Sequence, residues 1–172
     1  AMFDSDDELT PDALYEVVAS NDFGSATSRA ARVIVLIPPT ISQQPTGGLV
    51  IAGNSLTLRV TAAGSAPLAY QWRKGGVNVP NATSSELILS GIQPAQAGRY
   101  TVLITNPAGQ IESTGADVVV HFALELVQAD GGTIRATPQA ASYAPGSVVR
   151  LDLTTEPGYA FVGWGGALTG NA

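Results

Sequence analysis

Between Ser55 and Val120 apolar and polar residues alternate with a period of two, which sends successive side chains to opposite faces of extended strands. Leu56, Leu58 and Val60 fall on one face and Thr57, Arg59 and Thr61 on the other. Tyr70 and Trp72 likewise alternate with Gln71 and Arg73, Leu87 and Leu89 mark a strand over 86–90, and Tyr100, Val102 and Ile104 alternate with Thr101, Leu103 and Thr105. Lys74-Gly75-Gly76 and Asn106-Pro107-Ala108-Gly109 supply turns between such runs. The pattern predicts an all-β fold whose core holds Val60, Tyr70, Trp72, Tyr100 and Val102. Its outward face offers Gln71, Arg73, Thr101, Leu103 and Thr105 as a weakly charged candidate surface for a partner.

The chain also repeats itself. A shift of 85 residues lays Tyr15, Val17, Asn21 and Gly24 on Tyr100, Val102, Asn106 and Gly109. Without a gap it then lays Ser28, Ala31, Val33 and Val35 on Ser113, Ala116, Val118 and Val120. Residues 14–20 and 26–37 are therefore expected to form a hairpin equivalent to the one that follows residue 98, turning at Asn21-Asp22-Phe23-Gly24. A hairpin without its covering strands is marginal in water, so this copy is expected to be exposed or docked. The intervening Pro38-Pro39-Thr40-Ile41-Ser42-Gln43-Gln44-Pro45 reads as a stiff junction, because proline fixes φ and removes donors.

Composition narrows the class. With 172 residues, 19 Gly, 11 Pro, 45% hydrophobic and 13% charged residues, the chain suits small β modules and lacks the polar bias of a disordered segment. The formal net charge of −6 is concentrated: seven of the fourteen acids lie in the first 22 residues, leaving seven acids against eight bases beyond them. A nearly neutral body without a basic stripe argues against a nucleic-acid partner. The apolar run 30–39 is far short of the ~20 residues that span a bilayer, so no membrane span is expected. No secretory leader is read at the start, and targeting signals are expected elsewhere in the parent protein.

The chain has no Cys, so apolar side chains must hold its sheets together. On Tyr70-Gln71-Trp72-Arg73-Lys74, Ala97-Gly98-Arg99-Tyr100 and Asn106-Pro107-Ala108-Gly109, residues 38–121 resemble an I-set type immunoglobulin domain of the Cys-free bacterial kind. That resemblance implies a two-sheet sandwich in which Val60 and Val102 take the two inter-sheet link positions, Trp72 packs over them and Tyr100 closes a tyrosine corner. Gln96 departs from the family, which usually has an acid four residues before the corner tyrosine.

From Phe122 the pattern changes to Gly131-Gly132-Thr133, Tyr143-Ala144-Pro145-Gly146, Val148-Val149-Arg150-Leu151-Asp152-Leu153 and Pro157-Gly158-Tyr159-Ala160-Phe161-Val162-Gly163-Trp164. These motifs resemble the divergent internalin B-type repeat of bacterial surface proteins, a β-grasp-like module. The whole is thus expected to be all-β: a complete immunoglobulin-like β-sandwich (38–121) flanked by a partial immunoglobulin-like domain (1–37) and a partial β-grasp-like repeat (122–172).

Candidate chemistry is sparse. His121 is the single His and is expected to be a linker residue between two modules; with no Cys and no second His, a catalytic triad or a zinc site of the usual donors is excluded on count. The acids beyond residue 23 are isolated, unlike the converging pair of a glycosidase. The run Asp4-Ser5-Asp6-Asp7-Glu8 lacks the Gly and Glu of a calcium loop, having Leu9 and Tyr15 in those places, and is expected to be a solvated loop. The sequon Asn81-Ala82-Thr83 is read as a chance match. Trp164, with Tyr159 and Phe161, is the remaining candidate for contact with a partner. No catalytic residue, cofactor or metal is expected.

The reading is a non-enzymatic, modular, extracellular protein. It would serve as a spacer and binding region of a bacterial surface or secreted protein, with an adhesive role, and its partners would be a protein or glycan ligand and neighbouring domains of the same chain. The alternative is an accessory, carbohydrate-binding region of a secreted polysaccharide-active enzyme.

Overall fold

The computed structural model describes residues 14–128 and 130–162, and among these every regular element is a β-strand apart from one short 3-10 turn, Pro94–Gln96. In chain order the strands are β1 (Leu14–Tyr15), β2 (Val18–Asn21), β3 (Gly24–Thr27), β4 (Ala31–Arg32), β5 (Thr40–Gln43) and β6 (Gly48–Ile51). There follow β7 (Leu56–Arg59), β8 (Thr61–Ala63), β9 (Ala69–Lys74), β10 (Val77–Asn78) and β11 (Glu86–Leu89). The last are β12 (Gly98–Asn106), β13 (Gly109–Glu112), β14 (Ala116–His121), β15 (Gly132–Thr137) and β16 (Arg150–Thr155).

Two compact units divide the chain, one holding Arg59–Ser85, Thr101–Thr114 and the chain up to Pro45, the other Thr46–Leu58, Glu86–Tyr100 and the chain from Gly115 onward. In the first, β9 pairs with β10 as Lys74-Gly75-Gly76 turns the chain, with Val77 opposite Lys74. Gly75 and Gly76 have φ of 55° and 82°, a left-handed pair that glycine adopts without a Cβ clash. The later half of β12 pairs with β13, and β5 runs antiparallel to β8. Trp72, Val102 and Ile104 are fully buried there and Val60 nearly so. In the second unit β14 lies between the start of β12, antiparallel, and β6, parallel. Leu58, Leu87, Leu89, Ile92, Tyr100, Val118 and Val120 are its buried side chains of most weight. β15 and β16 form a separate antiparallel pair, Gly132 opposite Thr155 through Thr137 opposite Arg150.

The 85-residue repeat reappears bond for bond. Asn21 faces Gly24 and Leu14 faces Arg32 in the first copy, as Asn106 faces Gly109 and Arg99 faces Asp117 in the second. Both asparagines accept, at 2.9 Å, the N–H two residues on, from Phe23 and Ala108. Between the strand pieces Val17 N–H donates to Ser28 Oγ and Val102 N–H to Ser113 Oγ, each at 2.9 Å. Eight identities therefore encode one hairpin twice.

Three expectations are corrected. The alternation through Val60 is not one continuous strand: β7 ends at Arg59, β8 begins at Thr61, and the Val60 N–H donates to Ser85 O at 3.0 Å instead of to a neighbouring ladder. Tyr70 is half-buried, unlike Val60, Trp72, Tyr100 and Val102, because it stands one residue into β9, whose first residue is exposed. The arm expected over 26–37 breaks into β3 and β4, where the Ser28 hydroxyl takes the ladder position at Val17.

Candidate functional site

Large rings in the central module satisfy their polar atoms on backbone carbonyls. Trp72 Nε1 donates to Ser84 O at 2.9 Å, and Tyr100 Oη donates to Gln96 O at 2.8 Å, so the tyrosine corner forms without an acid at position 96. The Gln96 side chain accepts from the Gln93 N–H at 2.9 Å and thereby caps the 3-10 turn that carries its carbonyl. Burial pushes the Tyr100 hydroxyl pKa above its ordinary 10.0, since the phenolate would lose its hydration.

The expected partner face is knitted to its own neighbours. Gln71, Arg73, Thr101, Leu103 and Thr105 are all half-buried. The Gln71 amide donates to the carbonyls of Trp72 and Val79, each at 2.9 Å. Arg73 Nε donates to Asn78 Oδ1 at 3.1 Å and its Nη1 lies 3.5 Å from Glu112 Oε1, which also accepts from Thr101 Oγ1 at 2.8 Å. The turns that flank this face thus consume the donors that the sequence left free. Trp164 and the run Asp4 to Glu8 lie outside the described residues; Tyr159 and Phe161 are exposed.

Two joints are built more tightly than the sequence suggests. At the first, Ile37 O accepts from Ser65 N–H at 3.0 Å and from Asn106 Nδ2 at 2.7 Å, while the Ile37 N–H donates to Ser65 Oγ at 2.9 Å. Asn106 Nδ2 also reaches Ser65 O at 2.9 Å. One asparagine therefore closes its turn through Oδ1 and ties the junction through Nδ2. The junction passes so close that a Cβ on Gly64 would stand 3.0 Å from Pro38 O, which only glycine permits at φ 149°. At the second joint, His121 is the last residue of β14 rather than free linker, and its Nδ1 lies 2.9 Å from Ser142 Oγ. Phe122 and Tyr143 exchange both backbone bonds, at 2.8 and 2.9 Å, and Tyr143 Oη donates to Pro138 O at 2.9 Å. Sequence reasoning missed Asn106 and Ser142 as joint residues, because nothing in strand periodicity marks a turn amide as a long-range donor.

Among the described residues no three His, Cys, Asp or Glu converge as a metal site would need, and no helix is long and apolar enough to cross a membrane. The arrangement offers shape, joints and strand edges.

Residues 38–106 match the family model described as an immunoglobulin domain, and residues 122–172 match that of the divergent InlB B-repeat domain. The chain is similar to Roundabout homolog 3 of Homo sapiens, 28% identical over 148 residues that make up 83% of this chain and 10% of the relative. It is 32% identical to Protein sidekick-2 of Mus musculus over 124 residues, 65% of this chain and 6% of that one. This chain therefore spans a tenth or less of the length of either relative. Among solved structures, domains 3-5 of the Drosophila OTK extracellular region align with a TM-score of 0.51 at 22% identity, over 62% of this chain and 39% of that one, a likeness of fold. The all-β chain thus carries an immunoglobulin domain, matched over residues 38–106, followed by a divergent InlB B-repeat, matched over residues 122–172.

Proposed function

We propose that this chain is a non-enzymatic spacer and presentation region of an extracellular, adhesive bacterial protein, built from an immunoglobulin-like module over 38–121 with neighbours over 1–37 and 122–172. The observation that carries the reading is the tied junction at Ile37. A linker whose carbonyl accepts from both Ser65 and Asn106 transmits orientation from one module to the next, whereas an untied linker would let them tumble separately. The matches to an immunoglobulin domain over 38–106 and a divergent InlB B-repeat over 122–172 support the modular part of this reading.

The test compares the whole chain with its Asn106→Ala variant by small-angle scattering and NMR relaxation. Wild-type amides of residues 14–36 and of the central module should share one rotational correlation time. In the variant the first group should decouple while circular dichroism stays unchanged. Independent tumbling of that group in the wild-type chain would sink the spacer reading. A second reading, binding of a glycan through the InlB-type module, is favoured by one observation: Tyr159 and Phe161 leave more than half of their surface in solvent, 57% and 52%. A glycan array on the whole chain and on Tyr159→Ala decides it, a signal lost in the variant being the supporting result.

A further inference from the structure

β15 has two edges and uses one of them for β16. On the other edge the Ile134 N–H donates to Gln128 Oε1 at 2.8 Å, and Gln128 Nε2 donates to Ile134 O at 2.9 Å. A primary amide that offers one acceptor and one donor to the same residue reproduces what the peptide groups of an adjoining strand would offer. Gln128 is therefore a side-chain stand-in for a missing strand. By the two-residue alternation of a ladder, the N–H and C=O of Ala136 face the same way as those of Ile134. No side-chain bond reaches them among the described residues.

Along this edge runs a cleft of about 550 Å³, lined by Leu124, Leu126 and Gln128 from the segment before the strand and by Ile134, Arg135 and Ala136 from the strand itself. That size falls within the roughly 300–1,000 Å³ of ligand pockets. Leu124 is exposed within it, so apolar side chains of an incoming segment have a surface to cover. Arg135 is the one charged residue of the lining, and it has no ion-pair partner among the described residues. Its cross-strand neighbour Asp152 is taken by Arg150, whose Nε lies 2.7 Å from Asp152 Oδ1.

We propose that this groove binds an extended, acidic segment of a partner protein, which adds to β15 as a strand. Its peptide groups displace the Gln128 amide and bond to Ile134 and Ala136, its apolar residues lie on Leu124 and Leu126, and its carboxylate meets Arg135. Main-chain bonds supply the affinity and the single arginine supplies the preference for acid.

The probe is an acetylated, amidated pentapeptide, Thr-Val-Glu-Val-Thr, titrated into the whole isotope-labelled chain. Amide shifts should concentrate at Ile134 and Ala136. Gln128→Ala, which removes the internal competitor, should tighten binding by about tenfold, and Arg135→Glu should weaken it by about tenfold. A peptide methylated on its glutamate nitrogen and on both valine nitrogens should not bind, whichever way the added strand runs. The proposal is overturned if millimolar peptide leaves Ile134 and Ala136 unmoved, or if the methylated peptide binds as well. It is equally overturned if the Ala136 amide of Gln128→Ala resists hydrogen exchange before peptide is added, because this chain or a second copy would then already fill the edge. Both variants are checked for the wild-type amide dispersion, so that loss of binding is separated from loss of fold.

Discussion

Trp72 and Tyr100 each bury a large ring while handing its one polar atom to a backbone carbonyl, and that combination makes them costly to change in different ways. Trp72→Ala removes the whole ring from a fully buried site and should cost roughly 3–5 kcal/mol, a large share of a marginal domain's stability. Thermal melting of the variant reads this directly, and an unchanged midpoint would remove Trp72 from the core. Tyr100→Phe keeps the ring and deletes the bond to Gln96 O, a loss of about 0.5–1.5 kcal/mol in urea unfolding. The same residue sets an alkaline limit. Its folded pKa lies above the ordinary 10.0, so above pH 10 the unfolded chain releases this proton first and ΔG of unfolding falls as pH rises. Tyr100→Phe should flatten that part of the stability curve, as measured by urea midpoints on either side of pH 10. Both rings were legible because an aromatic at inward parity in a strand of alternating residues has one place to go. Tyr70 had the same parity but stands near a strand end, where covering neighbours run out.

Strand pairing depends on backbone approach that side-chain patterns do not display. β6 and β14 run parallel from the register of Gly48 with Val118 to that of Ile51 with His121, and just before this ladder a Cβ on Gly47 would fall inside contact distance of the Asp117 carbonyl. Gly47→Ala should therefore push the two strands apart and cost roughly 1–3 kcal/mol, with faster hydrogen exchange at Val118 and Val120 than elsewhere in the module. Unchanged exchange there would show that the strand ends yield without loss. The periodic signal located β9, β11 and β12 well, since each carries at least two inward apolar residues. It overstated the strand through Val60 and the arm after Ala26, because a serine hydroxyl or a distant carbonyl took the ladder bond there, and neither leaves a mark on apolar spacing. The outward face of β9 and β12 was legible as polar. Its donors were not legible as spent, because Asn78 and Glu112 come alongside only after two turns have folded.

The two copies of the hairpin separate hydrogen bonding from burial. Registers, turn bonds and the serine bridge coincide, yet Val17 is 61% exposed where Val102 is 0%, and Val35 is 46% exposed where Val120 is 1%. If backbone bonds set local stability, the copies should open equally often. If apolar coverage does, β2 and β3 should open far more often than β12 and β13, which open only with the whole module. The physical argument favours coverage, because a backbone bond largely exchanges for one to water while an uncovered valine contributes nothing to the folded side. Amides of Val18–Asn21 in the isolated chain should accordingly exchange at least about a thousandfold faster than those of Leu103–Asn106, in line with a module stability of 5 kcal/mol or more. Equal protection would mean either that backbone bonds set local stability or that the first hairpin has acquired a cover in solution. Dilution then discriminates, because a cover supplied by a second copy is lost as concentration falls and one supplied by the same chain is not.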